Sequence, residues 1–359
     1  MLVVNSRFLT QEITGVQRFS MELSLCLKEF LREDVLFLSP QNIKQKDYAK
    51  ILNVTVIGKH TGHLWEQFDL PYWLSKNGKP LLLCLANTGP IMYRRKMTVL
   101  HDITFLRCPE TFSWKFLFFY RLIIPQILKT SMKVFSVSNF SLCEIAMQYG
   151  VDKEKMEVIY NAVSSNFLPQ IDKELKEEKY ILAVSSVKAN KNFRTAVEAF
   201  IMAQRELPSL KLYVIGDIMS NNFNSMPELV ETCKKHTNIK LLGRVSDEEL
   251  VRYYSNALVF IFPSFYEGFG IPVLEAQACG CPVISSNSSS LPEVLSDSAL
   301  LCNPNKVEEF TNAIKVVAQD NRLREKLILS GYANVKRFNW RESTTKLVNL
   351  LKAFTFLGF

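Results

Sequence analysis

The stretch Pro263-Ser-Phe-Tyr-Glu267-Gly-Phe-Gly270-Ile-Pro272-Val-Leu-Glu275-Ala-Gln-Ala-Cys-Gly280 decides how this chain reads. It sets two carboxylates, Glu267 and Glu275, on either side of a Gly-Phe-Gly turn. Upstream, Ala257-Leu-Val-Phe-Ile-Phe262 is an unbroken apolar run, as expected of a strand buried on both faces of a parallel sheet. Downstream, apolar Val273, Leu274, Ala276 and Ala278 give the next segment helical character. The order strand, glycine-bearing loop, helix puts Glu267 in the loop and Glu275 in the first turns of the helix. Amides at a helix start suit anionic or hydroxyl-rich ligands, and ionised carboxylates accept hydrogen bonds from sugar hydroxyls.

A chain of 359 residues is long enough for two domains, each with its own core. Its 48% apolar and 22% charged residues are those of a soluble globular protein. The eight cysteines are scattered without a CxxC pair, which argues against a zinc site or a secreted disulfide framework and fits a reducing cytosol. Met1-Leu-Val-Val-Asn-Ser-Arg7 lacks the apolar core of a signal peptide. No stretch approaches the ~18 uninterrupted apolar residues of a membrane span. The nearest, Phe116 to Leu128, is broken by Arg121 and Pro125. The expectation is a cytoplasmic protein, at most peripheral at the inner face of a membrane. Net charge is +8, with most of the excess in residues 1–165. A basic N-terminal half suits an anionic partner such as a phosphate-rich lipid surface. No dense basic run or nucleic-acid motif accompanies it, so nucleic acid is not expected.

Strand-like runs alternate with helical patterns throughout, the mark of an α/β protein with parallel sheets. Strands are expected at Leu2–Asn5, Val35–Ser39, Val54–Ile57, Leu81–Leu85, Met97–Leu100, Val134–Val137 and Met156–Ile159. Helices should cover about Val16–Leu31, Trp65–Ser75, Phe112–Thr130 and Asn139–Gln148. The charged segment 169–179 marks a boundary, and the alternation then resumes. Strands follow at Tyr180–Val184, Lys211–Ile215, Ile239–Leu242, Val259–Phe262, Val283–Ser285 and Leu300–Leu301. Helices follow at about Asn192–Glu206, Met226–His236, Asp247–Asn256, Val273–Ala278, Lys306–Ala318, Asn321–Phe338 and Trp340–Phe354. The expected architecture is two Rossmann-like, doubly wound domains facing across a cleft, residues 1–168 and 180–338, with linker 169–179 and a helix in 339–359 returning to the first domain. Ligands in such sheets sit outside the carboxyl ends of the strands.

Further motifs surround the two-glutamate block. Leu241-Leu-Gly243-Arg-Val-Ser-Asp247-Glu-Glu-Leu250 and Tyr254-Ser-Asn-Ala257 precede it, and Pro282-Val-Ile-Ser-Ser286-Asn and Leu291-Pro-Glu-Val294 follow. Shorter matches are Thr14-Gly-Val-Gln-Arg18-Phe, His101-Asp102, Val137-Ser-Asn-Phe-Ser141, Val158-Ile-Tyr-Asn161-Ala and Lys191-Asn192. Together these residues resemble the retaining glycosyltransferases of the GT-B type, family 4. The resemblance runs over essentially the whole chain, and its C-terminal part is the specific one.

The resemblance implies a role for each position. Glu275 would accept from both ribose hydroxyls of a sugar nucleotide. Glu267 would hold hydroxyls of the donor sugar, while amides of Phe269, Gly270 and Ile271 reach sugar or phosphate oxygens. Lys191 would neutralise the departing diphosphate, the main catalytic lever in metal-free transfer. Relatives commonly carry an Arg five residues ahead of this Lys. Here that position is Ser186, which leaves more of the charge to Lys191, with Lys188 or the amides of the Gly15 loop. Gly15 would let backbone amides approach the donor phosphate, though it reads equally as a turn glycine ahead of a helix. His101 would touch the donor sugar, with Asp102 near the acceptor; a buried or capping His-Asp pair is the other reading. Arg244 and Gly216 lie where the family holds the base. His60, His63 and His236 have no motif around them and read as structural. No Asp-x-Asp occurs, so metal independence is expected, with no cofactor beyond the nucleotide sugar.

The N-terminal pattern resembles mannosyl- and rhamnosyltransferases of O-antigen and capsule assembly. That implies transfer of a hexose, mannose from GDP-mannose first, to a lipid-linked or oligosaccharide acceptor. The residues themselves leave the base open. Two other readings use the same block: a sugar-nucleotide epimerase, and an inactive sugar-nucleotide-binding partner of a transferase. The segment Phe112–Thr130, with Lys115, Arg121 and Lys129, suits either a packed helix or one lying on anionic lipid.

Overall fold

A computed structural model describes residues 1–184, 189–216 and 227–356. The chain divides into two compact units. One comprises Met1–Ile103, Ser113–Asn161 and the segment from Asn339; the other comprises Thr104–Phe112 and Ala162–Phe338.

The first unit is built on a seven-stranded sheet: β1 (Leu2–Asn5), β2 (Val35–Ser39), β3 (Thr55–Val56), β4 (Leu81–Cys84), β5 (Lys96–Val99), β6 (Lys133–Ser136) and β7 (Met156–Val158). Every pairing is parallel, in the order β3-β2-β1-β4-β5-β6-β7. β1, β4 and β5 are buried at every residue because helices cover both faces; β1 and β4 therefore read as near-continuous apolar runs, whereas β5 buries Lys96 and Thr98 as well. The strand expected at Val54–Ile57 is only the exposed two-residue edge β3. The expected helix Trp65–Ser75 begins earlier, at Gly62, and passes through a π-helical segment, Trp65–Asp69, before its last turns, Leu70–Lys76. Pro71 explains the irregularity: it has no N–H for the helical ladder, and its ring crowds the preceding turn. The helix expected from Phe112 starts at Trp114, because the Ser113 hydroxyl accepts from the Phe116 amide and caps it. The helix Lys46–Leu52, unmarked by periodicity, ends at Asn53 in the left-handed region.

The helix Trp340–Phe356 belongs to this unit, as the sequence suggested. The Trp340 ring meets Phe19 edge-on at 5.7 Å, and Ser343 Oγ donates to the Tyr160 carbonyl at 2.9 Å. Leu357 and Phe359, included in that expected segment, lie outside the described residues.

The second unit holds a six-stranded sheet: β8 (Tyr180–Val184), β9 (Lys211–Ile215), β10 (Ile239–Gly243), β11 (Val259–Phe262), β12 (Val283–Ser286) and β13 (Leu300–Cys302), in the order β10-β9-β8-β11-β12-β13. It too is parallel throughout. Its core packs Ile181, Val214, Ile261 and Ile284 against Phe200 and Phe310. Segment 169–179, read as a linker, contains the helix Lys173–Glu177 and is fastened to this unit. The Asp172 amide donates to Asn256 Oδ1 at 2.9 Å, and the Asp172 carboxylate pairs with Arg252 at 2.5 Å. The expected helix start at Met226 lies outside the described residues; the helix is described from Pro227 to Lys235. The short helix Leu291–Leu295, with Pro292 in its first turn, is not marked in the sequence because five residues are too few to show a helical period.

In both sheets the chain runs outward from the middle in two directions. Strand order therefore reverses between β1 and β4 in the first sheet and between β8 and β11 in the second. Doubly wound sheets bind ligands at such reversals, outside the carboxyl ends of the strands.

Lys96, at the opposite end of β5, is wholly buried; its ammonium donates to the Tyr93 carbonyl at 2.9 Å and Thr130 Oγ1 at 2.6 Å. Burial pushes it down from 10.5 to about 8. Between those values the unfolded chain holds a proton that the folded chain has released, so this residue's contribution to stability rises with pH. The unfolding free energy of the wild type, relative to Lys96→Met, should therefore increase by about 3 kcal/mol from pH 8 to 10.5, as read by urea denaturation across that range.

Candidate active site

The reversal in the second sheet brings the loop after β8 beside the loop after β11. Across it Lys191 Nζ grips the Glu267 carboxylate with both oxygens, at 2.7 and 2.8 Å. The side chains are 21% and 10% exposed, so the pair is sheltered yet reachable. The same ammonium lies 5.8 Å from the centre of the Phe262 ring. Asparagines fix the lysine from both sides. Asn190 Nδ2 donates to the Tyr266 carbonyl at 3.1 Å; Asn192, in the left-handed region, donates to the Pro263 and Pro304 carbonyls at 3.0 and 2.8 Å.

The Glu267–Gly270 loop is held by the turn after β12. Ser289 Oγ accepts from the Glu267 amide at 2.9 Å, and Ser290 Oγ lies 3.0 Å from the carbonyls of both Glu267 and Phe269. Ser289 itself has a φ of 55°, a strained conformation for serine and one often found at functional sites. With these carbonyls turned to Ser290, the loop ends in Gly270, whose φ of 96° lets the chain turn into the helix Ile271–Ala278. A Cβ there would stand 2.7 Å from Leu291 Cδ2, so packing also demands glycine. Phe269 is buried edge-on to Phe338 at 5.4 Å. Glu275, in the second turn of this helix, is buried beside Tyr254. Burial, and next the Glu275 charge, hold the Tyr254 hydroxyl far above the usual phenol range, so it stays protonated.

At the ends of β9 and β10, Gly216 donates its amide to the Gly243 carbonyl at 2.8 Å, and exposed Arg244 follows. Ser186 and Lys188 lie outside the described residues. Lys191, Glu267, Phe269, Gly270 and Ile271 thus gather around the end of β11, with Glu275 one turn further along the helix. Asn190, Ser289 and Ser290 were not found from sequence; a Ser-Ser-Ser run before Leu-Pro carries no periodic signal, although serines are common where a turn must satisfy backbone groups.

In the first unit, Gly15 opens the helix Gly15–Leu31. Thr14 and Gln17 form a capping box, the Thr14 amide donating to Gln17 Oε1 at 3.2 Å. A Cβ on Gly15 would meet nothing within 4 Å, so packing does not require glycine here. His101, after β5, is buried; its Nε2 is 2.9 Å from the Leu85 carbonyl and its ring meets Phe19 edge-on at 4.8 Å. Burial lowers its pKa, against the pulls of the Leu85 carbonyl and Asp102. The imidazole is therefore neutral, protonated on Nε2, and Nδ1 is left as the acceptor.

The reversal in the first sheet holds a second charged group that no motif announced. Glu66, in the π-helical segment and 1% exposed, accepts from Asn5 Nδ2 at 2.7 Å and Arg7 Nε at 3.2 Å, with His63 Nδ1 at 3.3 Å. Arg7 also donates to Thr88 Oγ1 at 2.8 Å. These residues come from the ends of β1 and β4 and from the helix between them.

A pair of doubly wound parallel sheets, the second bearing a carboxylate–lysine pair and a further carboxylate on the following helix, is the arrangement that the resemblance to two-domain glycosyltransferases implies. The comparisons agree. The family described as glycosyl transferases group 1 matches residues 165–334. The O-antigen chain mannosyltransferase B of Escherichia coli is 31% identical over 74% of this chain and 73% of its own length. The O-antigen chain mannosyltransferase RfbU of Salmonella typhimurium is 30% identical over 89% and 91%. Among solved structures, Anabaena Alr3699/HepE in complex with UDP and glucose superposes with a TM-score of 0.76 at 16% identity, covering 98% of each chain. WaaG, a glycosyltransferase involved in lipopolysaccharide biosynthesis, gives 0.71 at 13%, covering 98% of this chain and 99% of its own. This chain belongs to the group 1 glycosyl transferases and has the GT-B fold. It is an enzyme that uses a nucleotide-sugar donor and a glycan acceptor.

Burial alone would raise the Glu66 carboxyl, but the Arg7 charge, then the His63 hydrogen bond and charge, pull it from 4.5 down to about 2. A depressed folded value gives stability that is full above 4.5 and lost as pH falls toward 2. The wild type should lose about 3 kcal/mol relative to Glu66→Gln across that window, measured by denaturant unfolding at each pH.

Proposed function

We propose that the protein transfers mannose from GDP-mannose, with retention, to a lipid-linked glycan in the synthesis of a bacterial surface polysaccharide. Two relatives of broad coverage named as O-antigen mannosyltransferases support the sugar and the process. The observation that carries the chemistry is the Lys191–Glu267 pair: a cation and a hydroxyl acceptor, held together at the sheet reversal.

In this reading the donor separates the pair. Lys191 turns to the diphosphate, and Glu267 is released to accept from hydroxyls of the mannose. Glu275 takes the ribose hydroxyls, and the amides of Phe269, Gly270 and Ile271 meet sugar or phosphate oxygens. Gly216 and Arg244 flank the nucleotide. Gly15 offers a helix-start amide to the phosphate, and His101 presents Nδ1 to a donor hydroxyl. Asp102 serves the acceptor. The bond from the anomeric carbon to the phosphate oxygen breaks as the acceptor oxygen bonds to the same face, and the acceptor's proton passes to the leaving phosphate. Lys191 and the loop amides balance the charge on the diphosphate without a metal ion.

We place the enzyme at the inner face of the cell membrane as a peripheral protein. No helix among the described residues is long and apolar enough to cross a membrane. The helix Trp114–Thr130 instead buries Ile123, Ile124, Ile127 and Leu128 and exposes Trp114, Phe118 and Leu122 one turn apart, beside Lys115. An exposed apolar stripe with basic flanks suits an anionic lipid surface.

Thermal unfolding with GDP-, UDP-, dTDP- and ADP-sugars tests the donor. GDP-mannose at about a hundred times its Kd should stabilise the wild type by roughly 2.7 kcal/mol, and Glu275→Ala should lose most of that shift. Stabilisation by another nucleotide class alone would refute the donor assignment.

A further inference from the structure

The first sheet's reversal contains more than is needed to hold the fold. Asn5, Arg7 and His63 converge on the single carboxylate of Glu66, and Thr88 joins the cluster by accepting from Arg7. Three of them are buried, at 1–5% exposure, but the His63 side chain is 34% exposed. His63 is thus the member of the cluster that reaches the surface at the carboxyl edge of the sheet. Its ring is packed on Phe119 with centroids 4.4 Å apart, and Tyr120 stands 6.5 Å away at 84°.

This arrangement fixes the imidazole chemically. With Nδ1 facing the Glu66 carboxylate at 3.3 Å, the neutral imidazole would donate from Nδ1 and leave Nε2 of this part-exposed ring as an acceptor, as in carboxylate-oriented histidines elsewhere. The π-helical turn supports the geometry: from it Glu66 addresses Asn5 and Arg7, while the next residue, Gln67, bridges the Gly89 carbonyl and Ile91 amide at 3.0 and 2.9 Å. π turns of this kind are concentrated at functional sites. A hydrogen-bond acceptor on an aromatic wall fits the mixed polar and apolar faces of a pyranose.

We infer that His63, oriented by Glu66, binds a hydroxyl of the acceptor hexose against Phe119 and Tyr120. Glu66 acts through it as a positioning residue. The inference rests on the glycosyl-transfer reading and deepens it by giving the acceptor sugar a place.

Saturation-transfer NMR with octyl glycosides of mannose, rhamnose, glucose, galactose and N-acetylglucosamine tests it without turnover. At least one should receive saturation on its ring protons from the wild type, and His63→Ala should weaken its Kd about fivefold or more, the worth of one lost hydrogen bond. His63→Gln, which keeps an acceptor oxygen, should recover part of the loss. Thermal stabilisation by the nucleotide sugar should be the same in all three proteins, which separates this site from the donor reading. Binding of none of the glycosides by the wild type would overturn the inference. So would equal affinity in wild type and His63→Ala, even where the donor still binds and transfer proceeds.

Discussion

Parallel pairing of strands that are distant in sequence is the constraint on which the rest of this molecule depends. β8 lies directly against β11, Ile181 opposite Val259, although some seventy-five residues separate the loops that follow them. That adjacency is what allows Lys191 to reach Glu267. The first sheet repeats the device, with Asn5 of β1 opposite Cys84 of β4 and the Arg7–Glu66 group above them. In each case a buried strand pair, stabilised by apolar burial on both faces, fixes the position of charges that would not otherwise meet.

The two ion pairs differ in a way that bears on what they do. Arg7 and Glu66 are 6% and 1% exposed, and the carboxylate is saturated by donors; removing either partner strands a buried charge. Lys191 and Glu267 are more open, at 21% and 10%, which suits the proposed exchange of each partner for the phosphate and hydroxyl groups of a ligand. The first pair is fixed scaffolding that lends its orientation to His63. In the proposed reading the second is exchangeable, holding two binding groups in place until a donor separates them.

The strand–loop–helix around Glu267 and Glu275 was legible because a fully buried parallel strand reads as an apolar run and its turn demands Gly270. The repeated alternation likewise made two doubly wound sheets readable. What escaped notice depends on partners far away in the sequence. Ser289 and Ser290 matter only because the turn after β12 lies against the Glu267 loop. His63 carries no motif, and its meaning comes from a π-helical register imposed by Pro71 and from Arg7 and Asn5, which lie sixty residues earlier in the chain. The helix expected to begin at Trp65 shows the same limit: periodicity locates a helix, but not a widened turn within it.

The central claim is that Lys191, freed from Glu267, stabilises the departing diphosphate. It is tested most directly by the turnover of Lys191→Ala at saturating GDP-mannose and acceptor, in the presence of EDTA. The account predicts a loss of about 10²–10³ in kcat relative to the wild type, which itself turns over undiminished by the chelator. A variant that retains wild-type turnover would contradict it.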